Sequence, residues 1–291
     1  MKILNFGSLN LDHIYHVPHL VRPQETVLGD NLELVSGGKG LNQSVALALA
    51  GLNVYHAGAI GKDGKSLLEV CRNYGIDTQF VKCGQTKTGH AIVQVDSQGQ
   101  NCILLYGGAN FSITLDHIEE ALEPFEAGDY LIVQNEINDV DVIIEKAAEK
   151  GMIIVLNPSP YRENITHCHL DRIHYLILNE IEGAQMTGLE DPRAILKAIV
   201  HAYPNLKVVL TLGDQGALYL DEARFYEQPI YPVDVVDTRA AGDTFTGYFI
   251  AGMLRYQDVQ EALKLASKAA SYAVGHKGAS SSIPSINNIT D

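Results

Sequence analysis

Short apolar runs alternate along this chain with longer segments in which apolar residues recur every three or four positions. The runs at 2–8 (KILNFGS), 54–61 (VYHAGAIG), 130–134 (YLIVQ), 152–158 (MIIVLNP), 175–179 (YLILN) and 207–213 (KVVLTLG) have the continuous apolar character of strands buried on both faces. Between them the helical period predicts helices over 40–52, 64–75, 139–150, 180–187, 191–202, about 242–255 and 258–274. This alternation predicts an α/β fold with a doubly wound, mostly parallel sheet flanked by helices. Two stretches break the rhythm. Residues 11–36 and 86–107 have strand composition without intervening helices, and the second reads as a hairpin turning at Ser97–Gln100. Strands set apart from a parallel sheet predict a small β lid.

At 291 residues the length suits one large α/β domain or two small ones. The formal net charge of −14 argues against a nucleic-acid surface, which needs clustered Lys and Arg. It does not argue against a small phosphate held by a few cations and backbone N–H groups. No run of 18 apolar residues predicts a membrane span, and MKILNFGSLN begins a strand where a secretory leader would have its apolar core. Four cysteines, Cys71, Cys83, Cys102 and Cys168, lie far apart, as reduced thiols would, so a cytoplasmic location is expected.

Three stretches carry candidate chemistry. In SGGKGLNQS (36–44), consecutive glycines run into a helix, a tight backbone that presents N–H groups; Gly40 after Lys39 excludes a Walker A loop. In GSLNLDH (7–13), Asn10 and Asp12 alternate just beyond the first strand, where open α/β sheets bind ligands. In DTRAAGDTF (237–245), the small residues Ala240, Ala241 and Gly242 leave helix-start N–H groups accessible beside Asp243. Phosphoryl transfer needs that combination of fixed electrostatics and a base, although base rates favour Asp243 as a simple helix cap. HCH at 167–169 with His174 fits no zinc spacing and reads as solvated loop histidines, while Lys62-Asp63 reads as a structural turn.

Six motifs, GSxNxDH, GGKGxNQ, LNPSP, LNExE, TLGxxG and DTxAAGDTFxG, occur in one order between residues 4 and 284. Together they resemble those of the ribokinase-like (PfkB) carbohydrate kinases. The resemblance implies a single α/β domain over 1–291 with a β lid from about 11–36 and 86–107, and transfer of the γ-phosphoryl of ATP to the 5-hydroxyl of D-ribose. It implies a catalytic stretch Ala240, Ala241, Gly242 and Asp243, with Asp243 as general base and the N–H groups of 241–243 as the anion hole. Asn10, Asp12, Gly38, Lys39, Asn42 and Glu136 match positions that hold sugar hydroxyls. For the nucleotide and its Mg²⁺, the matching positions are Asn179 and Glu182, then Thr211, Gly213 and Gly216, while Ser267 falls where the family often has Asn or His near the adenine. A monovalent cation, usually K⁺, would be held at Asp237, Arg239, Ala273, His276, Gly278 and Ser282, mostly through carbonyl oxygens, with the Asp237 carboxylate as a hard ligand. A homodimer through the lid is implied as well. The family wording continues after Pro284 with a helix, where this sequence reads SINNITD.

The rival readings are a related kinase acting on 2-deoxyribose, a nucleoside or a ketohexose, and a sugar-binding regulator without catalysis. A nucleoside would need an aromatic contact beside the lid, for which Tyr106 is the candidate; His13 and His90 flank the same strands.

Overall fold

The computed structural model describes residues 1–289. Along the chain, β1 (Ile3–Phe6) leads to β2 (Asn10–His16) and β3 (Asn31–Gly37), then α1 (Lys39–Leu49), β4 (Val54–Ile60), α2 (Lys65–Asn73), β5 (Asp77–Cys83), β6 (Gly89–Val95) and β7 (Asn101–Tyr106). The alternation then becomes regular, through α3 (Leu115–Leu122), β8 (Tyr130–Gln134), α4 (Val140–Glu149), β9 (Ile153–Asn157), β10 (Tyr175–Asn179), α5 (Glu180–Thr187), α6 (Pro192–Ala202) and β11 (Lys207–Thr211). Strands β12 (Ala217–Leu220) and β13 (Phe225–Gln228) precede the long helices α7 (Ala241–Tyr256) and α8 (Val259–Val274).

The main sheet has nine strands in the order β13-β12-β11-β10-β9-β8-β1-β4-β5. All neighbours from β5 to β11 pair in parallel, and only the β11–β12 and β12–β13 pairs are antiparallel. The order reverses beside β1, between β8 and β4, which puts the carboxyl ends of the strands there at a topological switch point. One core joins a sheet face to α1, α7 and α8; the other joins the opposite face to α3, α4 and α6. Helices α1 and α7 touch where Gly247 faces Ala46, and a Cβ at Gly247 would lie 2.5 Å from the Ala46 Cβ. That close approach brings the start of α7 against α1.

The second sheet has the order β3-β2-β6-β7, with β2 and β6 parallel and the outer pairs antiparallel. Its hairpin closes with Asp96 N–H donating to the Gln100 carbonyl, at the turn the sequence predicts. This second sheet draws β2 and β3 from 10–37 and β6 and β7 from 89–106, while β5, α3, β12 and β13 have no counterpart in the sequence reading. After Pro284 a single 3-10 turn spans Ile286–Asn288, and the last two residues of SINNITD lie outside the described residues.

Candidate active site

A cleft of about 840 Å³ opens between the second sheet and the carboxyl ends of the main sheet. Asn10 and Asp12 of β2, Gly38, Lys39 and Asn42 at the start of α1, and Glu136 after β8 line it. So do Asn179 and Thr211, which end β10 and β11, Glu182 in the first turn of α5, and Asp237, Arg239, Ala240, Ala241, Gly242 and Asp243 leading into α7. Gly213, Gly216, Ser267, Ala273, His276, Gly278 and Ser282 are not among its lining residues. Gly216 has a backbone reason of its own: at φ 91° a Cβ would lie 2.1 Å from the Gln228 carbonyl oxygen. Ser267 is buried within α8. Gly278 adjoins the cleft by donating its N–H to Asp237 Oδ2 at 3.0 Å.

Helix starts divide by the way their N–H groups are satisfied. Thr114, Asp191 and Asp258 cap α3, α6 and α8 with side-chain oxygens. Helices α1 and α7 open on the cleft without such a cap, as α2 and α4 also do elsewhere. At α1 the donors are nevertheless taken. Lys39 N–H donates to Glu136 Oε2 at 2.9 Å, Gly40 N–H to Ser8 Oγ at 3.2 Å, and Leu41 N–H to the Ser8 carbonyl at 3.0 Å. The glycine-rich stretch at 36–44 therefore holds the carboxylate of Glu136, which Ser8 Oγ also meets at 2.5 Å, rather than offering free donors to a ligand.

Helix α7 differs. Asp243 makes no capping bond to its own helix, which corrects the simple-cap reading of that residue. Its carboxylate crosses to α1, where Asn42 Nδ2 donates to Oδ2 at 2.9 Å and Gln43 Nε2 donates to Oδ1 at 3.0 Å. Ala241 N–H leans on the Thr238 carbonyl at 3.3 Å. The N–H groups of Gly242 and Asp243 are first-turn donors, which an α-helix leaves without an intrahelical partner. Ala240 sits in the left-handed region (φ 56°, ψ 7°), a conformation that costs a non-glycine residue about 1–3 kcal/mol and that a small side chain suits best. No atom lies within 4 Å of a Cβ built on Gly242, so its bareness serves the cleft and not the packing.

Acids outnumber bases in the cleft. Asp12, Glu33, Glu136, Glu182, Asp237 and Asp243 face Lys39, Arg239 and Lys277. Burial, reinforced by the negative charge of Glu136, pushes Asp12 up to about 6. Burial pulls Lys39 down, but Asp243, Glu136 and Glu182 outweigh it and hold the ammonium above its ordinary value. Asp12 Oδ1 and Asn42 Oδ1 are buried oxygens without a hydrogen-bond partner, placed in the cleft wall. Asn179 and Glu182 form a reciprocal capping box on α5: Glu182 N–H donates to Asn179 Oδ1 at 2.8 Å, and Asn179 N–H donates to Glu182 Oε2 at 3.1 Å. The LNExE wording therefore has a local structural use besides its place in the cleft.

Sequence reading missed the buried amides beneath Asp243. Gln134 Nε2 donates to Gln43 Oε1 at 2.7 Å and to Asn5 Oδ1 at 2.8 Å, and Gln43 Nε2 also donates to Asn157 Oδ1 at 3.1 Å. Polar residues inside otherwise apolar strands, Asn5 in KILNF and Gln134 in YLIVQ, were the available signal. Outside the cleft, His13 and His90 stack edge-on at 5.9 Å and His90 lies against Tyr106; strand alternation turns all three away from the face of Asp12. His167, His169 and His174 are all exposed, and His174 Nδ1 also accepts the Ile154 N–H at 3.1 Å. Asp63 accepts from Thr88 N–H and Oγ at 3.0 and 2.7 Å, a structural anchor for β6. Among the described residues no group of three or more His, Cys, Asp or Glu side chains is arranged to hold a metal, and no helix is long and apolar enough to cross a membrane.

A family model described as pfkB family carbohydrate kinase matches residues 1–286. The chain is 34% identical to a ribokinase of Haemophilus influenzae, covering 96% of this chain and 94% of the relative. It is 32% identical to a ribokinase of Bacillus subtilis (100% and 98% covered) and 29% identical to a deoxyribokinase of Salmonella typhi (100% and 98%). Among solved structures it is similar to the ribokinase of Thermotoga maritima (TM-score 0.90, 27% identity, 99% and 98% covered). It is also similar to the ribokinase of Cryptococcus neoformans in complex with ADP (0.87, 31%, 99% and 98%) and to that of Arabidopsis thaliana complexed with ribose and ATP (0.86, 28%, 99% and 97%).

Proposed function

This chain belongs to the pfkB family of carbohydrate kinases, and from that starting point we propose that it transfers the γ-phosphoryl group of ATP to the 5-hydroxyl of D-ribose, giving D-ribose 5-phosphate and ADP. The observation that carries the reading is the carboxylate of Asp243, spent on Asn42 and Gln43 of the neighbouring α1 instead of on its own helix. A carboxylate so fixed accepts the proton of the attacking hydroxyl. Beside it, the N–H groups of Gly242 and Asp243 stabilise charge on the group in transfer, worth several kcal/mol when such donors are preorganised. The unpartnered oxygens of Asp12 and Asn42 accept sugar hydroxyls, and with Asn10, Gly38, Lys39 and Glu136 they form the sugar side of the cleft. A polar wall of this kind discriminates against substrates that leave its groups unpaired.

The nucleotide side lies at Asn179, Glu182 and Thr211, with the loop at Gly213 and Gly216 beyond the cleft wall; Ser267, buried within α8, makes no contact in this reading. ATP with a divalent cation is the phosphoryl donor. Mg²⁺ suits Asn179 and Glu182, which offer hard oxygen donors to its water shell, and it neutralises phosphate charge that an acid-rich cleft would otherwise repel. The K⁺ expected at Asp237 is a poorer match: both oxygens of that carboxylate already accept from Arg239. The potassium site therefore contributes no step here.

The second sheet acts as a lid over the sugar. Its outer face exposes Leu32, Leu34, Ile92, Leu104 and Tyr106, an apolar surface that supports a homodimer through the lid. A cytoplasmic location belongs to the same reading, supported by ATP as donor and by four free cysteines, of which Cys83 and Cys102 are exposed. The outward-facing Tyr106 disfavours a nucleoside as substrate, because no aromatic ring from β7 reaches the cleft face.

The test is ADP release with ribose, 2-deoxyribose, fructose and nucleosides. Ribose is expected to give the highest kcat/KM. Turnover on a nucleoside or a hexose with none on a pentose overturns the substrate assignment, and ribose binding without ATP consumption points to a regulator.

A further inference from the structure

Arg239 stands two residues after Asp237 and folds back onto it. Its Nε donates at 3.0 Å to both Oδ1 and Oδ2, and its Nη2 donates to Oδ2 at 2.5 Å. The backbone N–H groups of Arg239 and Gly278 add bonds of 3.0 Å to Oδ1 and Oδ2. Burial alone would push the Asp237 carboxyl up, but these bonds hold it below the ordinary carboxylate range. A carboxylate offers about four lone-pair positions, and here the donors fill them. A monovalent ion could reach either oxygen only by displacing a forked, charge-assisted pair. Of the other expected ligands, the Ala273 carbonyl already accepts the His276 N–H at 3.1 Å.

The residues present therefore do not fit a mobile cation at this position, and they carry a fixed one. We propose that the Arg239 guanidinium is a covalently tethered replacement for a monovalent cation, so that catalysis by this chain is independent of K⁺ and of other monovalent ions. A cation next to Asp237 has two jobs, to neutralise the carboxylate and to tie the 237–243 loop to the segment after α8. Arg239 performs the first directly. It leaves Asp237 in place to perform the second, through Gly278 N–H and beside the bonds from Val236 and Asp237 N–H to the Val274 carbonyl. The loop so held runs straight into Ala240 and the donors of α7. Arg239 is a positioning residue: its side chain reaches Asp237 at the rim of the cleft, with the guanidinium arm 40% exposed and the Asp237 side chain 11% exposed.

The inference rests on reading 237–243 as the phosphoryl site, but not on the identity of the sugar. The full chain is freed of monovalent cations and compared in KCl, NaCl, CsCl and tetramethylammonium chloride at equal ionic strength. Two readouts are taken: the unfolding temperature without substrates, and kcat with KM for ATP. For the wild type both are expected to be the same in all four salts, kcat within about twofold, which is below 0.5 kcal/mol. In Arg239→Ala the bare carboxylate becomes available, so kcat in tetramethylammonium is expected to fall about tenfold or more and to recover in K⁺, with a K⁺-specific rise in unfolding temperature. A wild type stimulated tenfold by K⁺, or stabilised by K⁺ over tetramethylammonium, overturns the proposal. So does an Arg239→Ala variant that folds and responds to K⁺ no more than the wild type. If Arg239→Ala does not fold, the wild-type comparison decides alone. Absence of turnover on ribose in every salt would sink the substrate assignment, while the substrate-free unfolding series would still judge Arg239.

Discussion

Gln43 donates its side-chain amide to Asp243 Oδ1 at 3.0 Å, so the aim of the proposed base is set from a different helix. The donor is itself oriented, because Gln43 Oε1 is occupied by Gln134 Nε2 at 2.7 Å and only the NH₂ group can face the carboxylate. All of this is buried. Gln43→Leu removes one of the two amides that fix Asp243 and leaves Gln134 with one fewer partner. It is expected to lower kcat about 10- to 100-fold, in keeping with the cost of small misplacements at a reacting centre. KM for the sugar should change little, because Asp12 and Asn10 are untouched. Steady-state kinetics check it, and an unchanged kcat would remove Gln43 from any positioning role.

Asp243→Asn keeps the shape of the side chain and removes its proton affinity. An amide can still accept from one of Asn42 and Gln43, so the fold should survive with a modest loss of stability. Turnover is expected to fall by about 10²- to 10⁴-fold, the usual worth of a general base. Calorimetry should still detect ATP binding in the variant. Near-normal turnover would transfer the role of base to another group.

Both predictions bear on how much of this site was legible in the chain. The alternation of apolar runs with helical periods shows the main sheet, and the composition of 11–36 and 86–107 shows the second. Strand β5 was not legible because DTQFVKC mixes charged and polar residues with Phe80, Val81 and Cys83 in no clear alternation, as a half-covered edge strand does. The small residues before Asp243 were legible as bareness, but its bonds to Asn42 and Gln43 span about two hundred positions of sequence and have no local signal. Lys39 and its neighbouring glycines read as free donors. Only the folded chain reveals that Glu136, from another strand end, occupies them. Arg239 entered the sequence reading only as one position of the expected cation site, and the partner of its side chain became visible only with the turn that brings it back onto Asp237.

Asp12 predicts a trade of stability for substrate binding. Its carboxyl titrates near 6 in the folded chain against a reference of 3.8, chiefly through burial and then through Glu136. With the folded value raised, the native state binds more protons than the unfolded state between those limits. Stability therefore declines as pH rises from about 4 to about 6, and the penalty stays constant above that. Asp12→Asn is expected to raise the unfolding temperature at pH 8 by a few degrees, with the gain vanishing near pH 4. The same variant should raise KM for ribose about tenfold or more, because a carboxylate oxygen that meets no protein donor is replaced by a weaker or mismatched group. Thermal unfolding at the two pH values and sugar titrations measure the two effects separately. A variant destabilised at pH 8 would refute the burial argument.

Two glycines of α7 separate chemistry from packing. A Cβ on Gly247 would lie 2.5 Å from the Ala46 Cβ and 3.0 Å from the Leu47 nitrogen, so Gly247→Ala must push α1 and α7 apart. Such overpacking typically costs about 1–3 kcal/mol, and a lower unfolding temperature is expected. A Cβ on Gly242 meets nothing within 4 Å, and alanine is the better helix former by roughly 1 kcal/mol in a helix interior. Gly242→Ala should therefore unfold at the same temperature as the wild type or slightly above it. Its methyl group would stand beside the donors proposed to meet the phosphoryl group, and kcat is expected to fall about 10- to 100-fold, as when one such donor is lost. Unfolding temperatures and kcat for the pair should move in opposite order, Gly247→Ala losing more stability and Gly242→Ala more turnover. A Gly242→Ala enzyme with full activity would mean that the phosphoryl group does not pass over the start of α7.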